Sequence, residues 1–414
     1  MKFVAVTYGT EGDTRPLAAL ARALTDAGHE ARLLADRGTL GAAAALGVPA
    51  TAIAGDIRAA LQPGQALAGI VGRRGGGFSD TAKALAYIAN THAEAWMRDT
   101  LEAARGCDAV ILGGLAAFVG FSVAEHLGFP AIGTGLIPIT PTAAFPSPFL
   151  PPGRIPGWLN RTSHRLVNGL IWRAFRARIN AARAATMGQA PRRRLWTGQP
   201  MLYGISPSLL PRPPDWPDNA QICGQWVPPA AGWSPPDSLA EFLGAGEPPL
   251  YLGFGSMAAL DRRALLAALI PAVDGRRALF YPGWSGIQAS DLPGNFLAIG
   301  DTPHDWLFPR VSIAVHHGGA GTSHSAVRAG VPSVVVPFAG DQFFWADCLR
   351  RAGVAPPPIA AKGLTASALA RAIASADGAA MRSRAAALGT SMRAEDGLGR
   401  AVAWIETLAG AARS

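Results

Sequence analysis

The 414-residue chain is poor in cysteine: Cys107, Cys223 and Cys348 are the only three. An odd number, spread far apart, argues against a disulfide framework and for a reducing compartment. No run of about 18 apolar residues occurs, so no segment is expected to cross a bilayer. The opening stretch Met1-Lys2-Phe3-Val4-Ala5-Val6-Thr7 reads as a first strand. It lacks the long apolar core and small-residue cleavage site of a secretion signal, and the expected location is cytoplasmic. Charge is also scarce, at 16% of residues, and acidic groups are outnumbered 28 to 37 by basic ones. The net charge of +9 is almost all arginine, much of it between Arg154 and Arg194. Such an excess can serve nucleic acid, an anionic membrane surface or an anionic substrate. No nucleic-acid module is recognisable and no aromatic platform interleaves the basic segment, so a nucleic-acid role is not expected.

Hydrophobic residues make up 49% of the chain. Single cores stop growing near about 250–300 residues, so two domains are expected. The first half alternates strand-like and helix-like runs. Lys2 to Tyr8 is a strand, Gly9 to Pro16 a loop, and Leu17 to Ala27 a helix closed by Gly28. Glu30 to Ala35, Ala109 to Leu112 and Pro130 to Thr134 continue the strands. A second series begins near Pro248, with strands at Leu250 to Phe254, Ala278 to Tyr281, Phe296 to Ile299, Val311 to Val315 and Ser333 to Val336. Alternation of this kind predicts an α/β chain with two doubly wound parallel sheets. Between the series, prolines from Pro207 to Pro236 are too dense for one regular element and mark a linker. Ligands of such sheets bind beyond the C-terminal strand ends, which points to the cleft between the domains. The segment 160–185 reads as a basic amphipathic helix, with Leu166, Leu170, Ala174 and Val167, Ile171, Phe175 at helical spacing. It is a candidate for contact with a membrane surface, at the inner face if cytoplasmic, or else a helix with its arginines in water.

The chemistry concentrates in His316-His317-Gly318-Gly319-Ala320-Gly321-Thr322. A strand feeds a glycine-rich loop and then a helix expected from about Thr322 to Ala329. Glycines let backbone approach a ligand, and the unpaired N–H groups at a helix start form an anion site. Thr322 is placed to cap that helix or to bond a phosphate. No Gly-Lys-Ser/Thr follows, so this is not a P-loop. Adjacent strand histidines point to opposite faces, which disfavours a metal site. Asp341 and Gln342 follow the next strand and can accept hydrogen bonds from sugar hydroxyls. At the other end, Gly9-Thr10-Glu11-Gly12-Asp13-Thr14-Arg15-Pro16 is a strand-to-helix turn. Asp13 there is either a base facing the cleft or, like Thr14, a helix cap.

Together these residues resemble the inverting GT-B glycosyltransferases of the sterol glucosyltransferase and antibiotic glycosyltransferase type. The likeness spans nearly the whole chain. It is strongest from Asp301 to Cys348, where Pro303 to Pro309, His316 to Thr322 and Gly340-Asp341-Gln342-Phe343-Phe344-Trp345 follow in order. The Gly9 to Pro16 turn matches as well, and Asn160 to Trp172 more loosely. The resemblance implies two Rossmann-like domains facing a central cleft. Residues 1–215 would bind the acceptor and 237–414 the donor, joined by a linker at 216–236, with the last helix packing back on the first domain.

The resemblance also implies roles. Asp13 is the general base, with Gly12 and Thr14 on the acceptor side. His317, Gly319, Gly321, Thr322 and Ser256 contact the donor diphosphate. Asp341 and Gln342 hold the transferred sugar, and His304 stands near the nucleobase. Glu11 and Arg15 exchange the charges usual at their positions, and Ser325 stands where some relatives carry a ribose-binding Glu. The implied reaction moves a hexose from a UDP-sugar, UDP-glucose first, to an apolar sterol, triterpenoid, polyketide or lipid, giving a β-glycoside without a metal or other cofactor. A deoxysugar transferase is the near alternative. A sugar-nucleotide epimerase and a non-catalytic partner protein are the distant ones.

Overall fold

Phe3-Val4-Ala5-Val6 and Ala109-Val110-Ile111-Leu112 are buried at every position, as central parallel strands covered on both faces must be. The computed structural model describes residues 1–61, 78–228, 232–255 and 261–411. The first sheet holds β1 (Lys2–Val6), β2 (Glu30–Asp36), β3 (Ala50–Ile53), β4 (Ala109–Leu112), β5 (Ala131–Gly135), β6 (Met201–Tyr203) and β7 (Ala220–Ile222). Its order is β3-β2-β1-β4-β5-β6-β7, with parallel pairs throughout. Around it run α1 (Glu11–Asp26), α2 (Gly41–Ala44), α3 (Ile57–Leu61), α4 (Phe78–Ala104), α5 (Ala117–Leu127) and α6 (Asn160–Met187).

The second sheet holds β8 (Leu250–Gly253), β9 (Ala278–Tyr281), β10 (Phe296–Ala298), β11 (Ile313–His316) and β12 (Ser333–Val335). Its order is β10-β9-β8-β11-β12, again all parallel. Its helices are α7 (Asp237–Gly244), α8 (Arg262–Val273), α9 (His304–Leu307), α10 (Ala320–Arg328), α11 (Gln342–Ala352), α12 (Ala366–Ala376), α13 (Ala379–Arg393) and α14 (Gly397–Ala411). In each sheet the winding reverses beside the first strand of the series, between β1 and β4 and between β8 and β11. Connections diverge there and leave a crevice at the C-terminal strand ends.

Four elements differ from the sequence expectation. Residues 9–16 are not all loop, because α1 begins at Glu11. Thr10 is its N-cap, and Asp13 at the third helical position closes a capping box with it. Pro16 lies inside this helix, where it removes the hydrogen bond due to the Gly12 carbonyl. The proline-rich stretch is not all linker either, since the three-residue β7 within it pairs with β6 in the first sheet. That sheet therefore runs to Ile222, past the boundary at 215. The phosphate-loop helix starts at Ala320, two residues early, with Gly319 as N-cap. Thr322 thus lies in the first turn and does not cap it.

The fourth difference is in α6, whose apolar residues divide differently from the helical stripe. Trp172, Phe175, Ile179 and Ala182 are buried against the first sheet's helices, whereas Leu166 and Leu170 face solvent at 61% and 56% exposure. The surrounding layers α4 and α5 offer burial to only one side of α6, and the aromatic residues occupy it.

The two halves share an apolar seam. Phe145, Tyr203 and Trp216 from the first join Val335, Phe344, Trp345 and Ala385 from the second. Polar ties flank it: the Ser206 hydroxyl donates to Glu395 at 2.7 Å, and the Gln225 amide donates to Ser325 at 3.1 Å. The final helix returns to the first domain, where Val402, Ile405 and Ala409 pack on Leu17, Leu20 and Leu24 of α1. His29 bonds Glu406 at 2.8 Å beside this contact. Ile405 is fully buried there. Ile405→Ala should lower unfolding stability by about 2–5 kcal/mol, read by urea denaturation.

Candidate active site

Both switch points deliver chemistry to the crevice. After β1 the chain turns through Gly9 and Thr10 into α1, which places Asp13 in the helix's first turn. The Thr10 N–H donates to Asp13 Oδ2 at 2.9 Å and the Thr10 hydroxyl to the same oxygen at 3.4 Å. These bonds favour the carboxylate, yet desolvation outweighs them and pushes the Asp13 pKa up to about 6. Asp13 is half-buried, and no cation pairs with it among the described residues. Gly12 beside it is exposed. Thr14 points the other way: it is fully buried, and its hydroxyl bonds Thr39 at 2.8 Å inside the first domain. The expected acceptor-side role of the Thr14 side chain is therefore not met, because helical geometry turns the fourth residue inward. Glu11 and Arg15 do pair, at 2.8 Å.

In the second domain, β11 ends in His316, and His317 opens the loop. Gly318 has φ +90, and a Cβ there would stand 2.7 Å from Val335 Cγ1. Gly319 has no room for a Cβ either, which would meet His317 Nε2 at 2.4 Å. The loop is thus shaped around the His317 imidazole. Past Gly319, the N–H groups of Ala320, Gly321 and Thr322 form the open start of α10, and no side chain caps it. His316 is fully buried, and its Nδ1 accepts from the Gly318 N–H at 3.0 Å. Burial holds His316 near a pKa of about 3 and His317 near about 4, so both are neutral at pH 7. Among the described residues His317 Nδ1 and His316 Nε2 are buried without a close hydrogen-bond partner, and the Gly253 backbone lies within reach of the His317 ring. The site therefore offers neutral imidazole and backbone donors, which suit an anion such as a phosphate.

Asp341 and Gln342 start α11, and they divide the work unequally. Gln342 is buried, and its Oε1 accepts from the Phe338 and Ala339 N–H groups at 2.7 and 3.1 Å. That oxygen is spent on holding the loop after β12. Asp341 is half-buried, and Oδ2 takes a hydrogen bond from Trp345 Nε1 at 3.0 Å. Burial, helped by the charge of Asp13, raises its pKa to about 6. The two carboxylates thus sense each other across the crevice.

His304 stacks on Phe308 at 4.3 Å and is pushed down to about 4 by burial, with Arg15 and His317 adding to the effect. Arg15 in turn feels Asp301 and Tyr281 of the second domain. Tyr281 donates to Asp301 at 2.6 Å. Ser256 lies outside the described residues, and the turn leading to it, through Gly255, sits against His317. The structure thus brings Asp13, His304, His316, His317, Asp341 and the α10 start into one neighbourhood. Sequence reading missed Thr10, which holds Asp13, and Trp345, which orients Asp341. The Thr-x-x-Asp capping pattern and the four-residue spacing of Asp341 and Trp345 were the available signals. Among the described residues, no group of three or more His, Cys, Asp or Glu stands close enough to hold a metal ion.

Comparison with known proteins gives a consistent picture. Residues 264–400 match the family described as Erythromycin biosynthesis protein CIII-like, C-terminal domain. The chain is similar to O-mycaminosyltylonolide 6-deoxyallosyltransferase of Streptomyces fradiae, with 33% identity over 98% of this chain and 97% of that one. It is also similar to sterol 3-beta-glucosyltransferase UGT80B1 of Arabidopsis thaliana, at 31% identity over 97% of this chain and 67% of the relative. A Neurospora crassa sterol 3-beta-glucosyltransferase matches at 31%, but the chain spans only 27% of its length. A second Arabidopsis sterol glucosyltransferase is spanned over 64% of its length. Among solved structures, the glycosyltransferase VinC in complex with DTDP superposes with a TM-score of 0.68 at 21% identity, covering 99% of this chain and all of that one. The glycotransferase of kitacinnamycin gives a TM-score of 0.70 at 19% identity, covering 98% of both chains.

Two outcomes test this geometry. Asp13 has a folded pKa of about 6 against an ordinary 3.8, so between these values the folded state binds more protons than the unfolded one. Its contribution to stability is then greatest at low pH and is lost as pH rises through about 6. Asp13→Asn should therefore melt higher than the wild type at pH 7.5, with the difference vanishing toward pH 4. Gly318→Ala should lose about 1–2 kcal/mol from the left-handed backbone alone, more with the Val335 overlap, and its thermal midpoint should fall.

Proposed function

The chain belongs to the GT-B glycosyltransferases of sterol and natural-product type, and we propose that it moves a hexose from a UDP-sugar to a hydroxyl of an apolar acceptor with inversion. The observation that carries this reading is the pairing of a desolvated Asp13, without a cation partner among the described residues, on one domain with His317, the α10 start and Asp341 on the other.

In the proposed reaction Asp13 takes the proton of the acceptor hydroxyl as its oxygen attacks the anomeric carbon. A pKa near 6 suits a base that must be ionised yet still accept a proton at neutral pH. The new carbon–oxygen bond forms on the face opposite the nucleotide, and the bond to the diphosphate breaks. The leaving UDP carries the electron pair away. Its charge meets the N–H groups of Ala320, Gly321 and Thr322 at the α10 start, the Thr322 hydroxyl and the neutral His317 imidazole, so the step as drawn calls for no metal. Asp341, steered by Trp345, accepts from hydroxyls of the sugar. An α-linked donor then gives a β-glycoside. UDP-glucose is the first donor to test, and the apolar, proline-rich stretch from Ala143 to Trp158 in the first domain favours an apolar acceptor such as a sterol, triterpenoid, polyketide or lipid.

A second reading, transfer of a deoxysugar, is favoured by the Streptomyces fradiae relative, which the chain matches over 97% of that protein's length. The three cysteines form no disulfide, which accords with work in a reducing compartment such as the cytoplasm.

A panel of UDP-glucose, UDP-galactose and a dTDP-deoxysugar against sterol and macrolide aglycones, read by mass spectrometry, separates the two readings. With the productive pair, Asp13→Asn should lose about 10²–10⁴-fold in kcat while still binding UDP. The wild-type kcat/KM should fall as pH drops below about 6 as Asp13 becomes protonated. Near-normal turnover by a folded Asp13→Asn protein would remove Asp13 from the role of base.

A further inference from the structure

The large apolar side chains that stand exposed among the described residues gather on one side of the first domain. Trp158 is 81% exposed, Leu166 61%, Leu170 56% and Tyr87 49%. The first three lie on α6 or in the short turn that leads into it. Tyr87 is on α4, one turn from Asn90, whose amide donates to the Ala174 carbonyl of α6 at 3.1 Å. Scattered apolar residues need no explanation, but a contiguous exposed cluster does.

Arginines surround this cluster. Arg154, Arg165, Arg173, Arg176 and Arg178 are exposed, and none makes an ion pair with a carboxylate among the described residues. Arg161 pairs with Asp215 and remains 45% exposed. No Asp or Glu occurs between Glu125 and Asp215, so the region carries no countercharge of its own. An ordinary solvated helix intersperses both signs and keeps tryptophan and leucine off its outer face. Apolar side chains ringed by unpaired arginines instead match an interface where hydrocarbon lies beneath anionic headgroups. Among the described residues no helix is long and apolar enough to cross a membrane, so such a contact would be peripheral.

We propose that this face docks the protein on an anionic lipid bilayer. Trp158, Leu166 and Leu170 enter the headgroup boundary, and the arginines pair with lipid phosphates. The docking is tied to the crevice by the first turns of α6. The Asn160 amide donates to the Ala143 carbonyl at 2.9 Å, and His164 Nε2 donates to the Phe145 carbonyl at 3.1 Å. Phe145 in turn touches Phe344 in the first turn of α11, the helix that Asp341 and Gln342 start. The segment 143–145, whose Phe145 packs into the seam between the halves, is thus anchored on the lipid-facing helix. Delivery of an acceptor out of the bilayer would be a further consequence, and that part rests on the transfer reading.

The test is co-sedimentation of the full chain with vesicles of phosphatidylcholine alone and of phosphatidylcholine mixed with phosphatidylglycerol. Binding should be confined to the anionic vesicles and should weaken as salt rises. Each of R165E and R173E should cost roughly five-fold or more in partitioning. The triple variant Trp158→Ser, Leu166→Ser, Leu170→Ser should bind still less. All should keep the wild-type melting temperature and the wild-type affinity for UDP, since none of these side chains is buried. Lack of binding to anionic vesicles, or binding indifferent to these substitutions, would overturn the proposal. So would light scattering showing a dimer that the triple variant converts to monomer, because the cluster would then cover a second copy. Vesicle binding needs no substrate, so its failure and a failure of the transfer reading are separately visible.

Discussion

Two carboxylates, Asp13 and Asp341, neither paired with a cation among the described residues, are held in one crevice, and the site depends on the cost of keeping them there. Thr10 supports Asp13 through its N–H and hydroxyl, a backbone hydrogen bond and the Trp345 indole support Asp341, and in each case burial outweighs the support. The same burial keeps His304, His316 and His317 neutral. The crevice is therefore an assembly of groups poised near or away from charge by desolvation. A pair of groups in that state can accept a proton at neutral pH and welcome a leaving anion without competing countercharges.

Neither domain makes this site alone. Asp13 hangs on the switch point of the first sheet, and the histidine loop and Asp341 on the second. Their relation is set by the apolar seam of Phe145, Tyr203 and Trp216 against Phe344 and Trp345, by Ser206–Glu395 and Gln225–Ser325, and by α14 returning to α1. Trp345 serves both tasks: its ring is buried in the seam, and its indole N–H orients Asp341. Packing and chemistry are thus coupled through one residue.

Much of this was legible in the residues. Buried apolar runs located β1, β4, β8, β9 and β11, because parallel strands covered on both faces leave an unmistakable pattern. The glycines between His317 and Thr322 pointed to a tight loop feeding a helix, which the structure has with the helix starting at Ala320. What escaped reading has physical reasons. β6 and β7 are three residues each, set among prolines, and only their neighbours in the sheet make them strands. The start of α1 was hidden because Pro16 suggested a first turn that had in fact begun at Glu11. Thr14 and Gln342 carry the right chemistry but spend it on Thr39 and on the Phe338–Ala339 backbone, which only three-dimensional placement reveals. On α6, spacing alone could not tell which apolar stripe finds a partner. The larger aromatics took the core and left Leu166 and Leu170 outside. Glycosyltransferase relatives matched over nearly the whole chain leave the epimerase and non-catalytic readings without support.

The central claim is attack by an Asp13-activated hydroxyl from the side of the crevice opposite the diphosphate. The most direct measurement is the anomeric configuration of the product formed from an α-linked nucleotide sugar, determined by proton NMR on the purified glycoside. The account predicts a β-glycoside alone. An α-glycoside would require a different order of bond-making at the anomeric carbon and would contradict it.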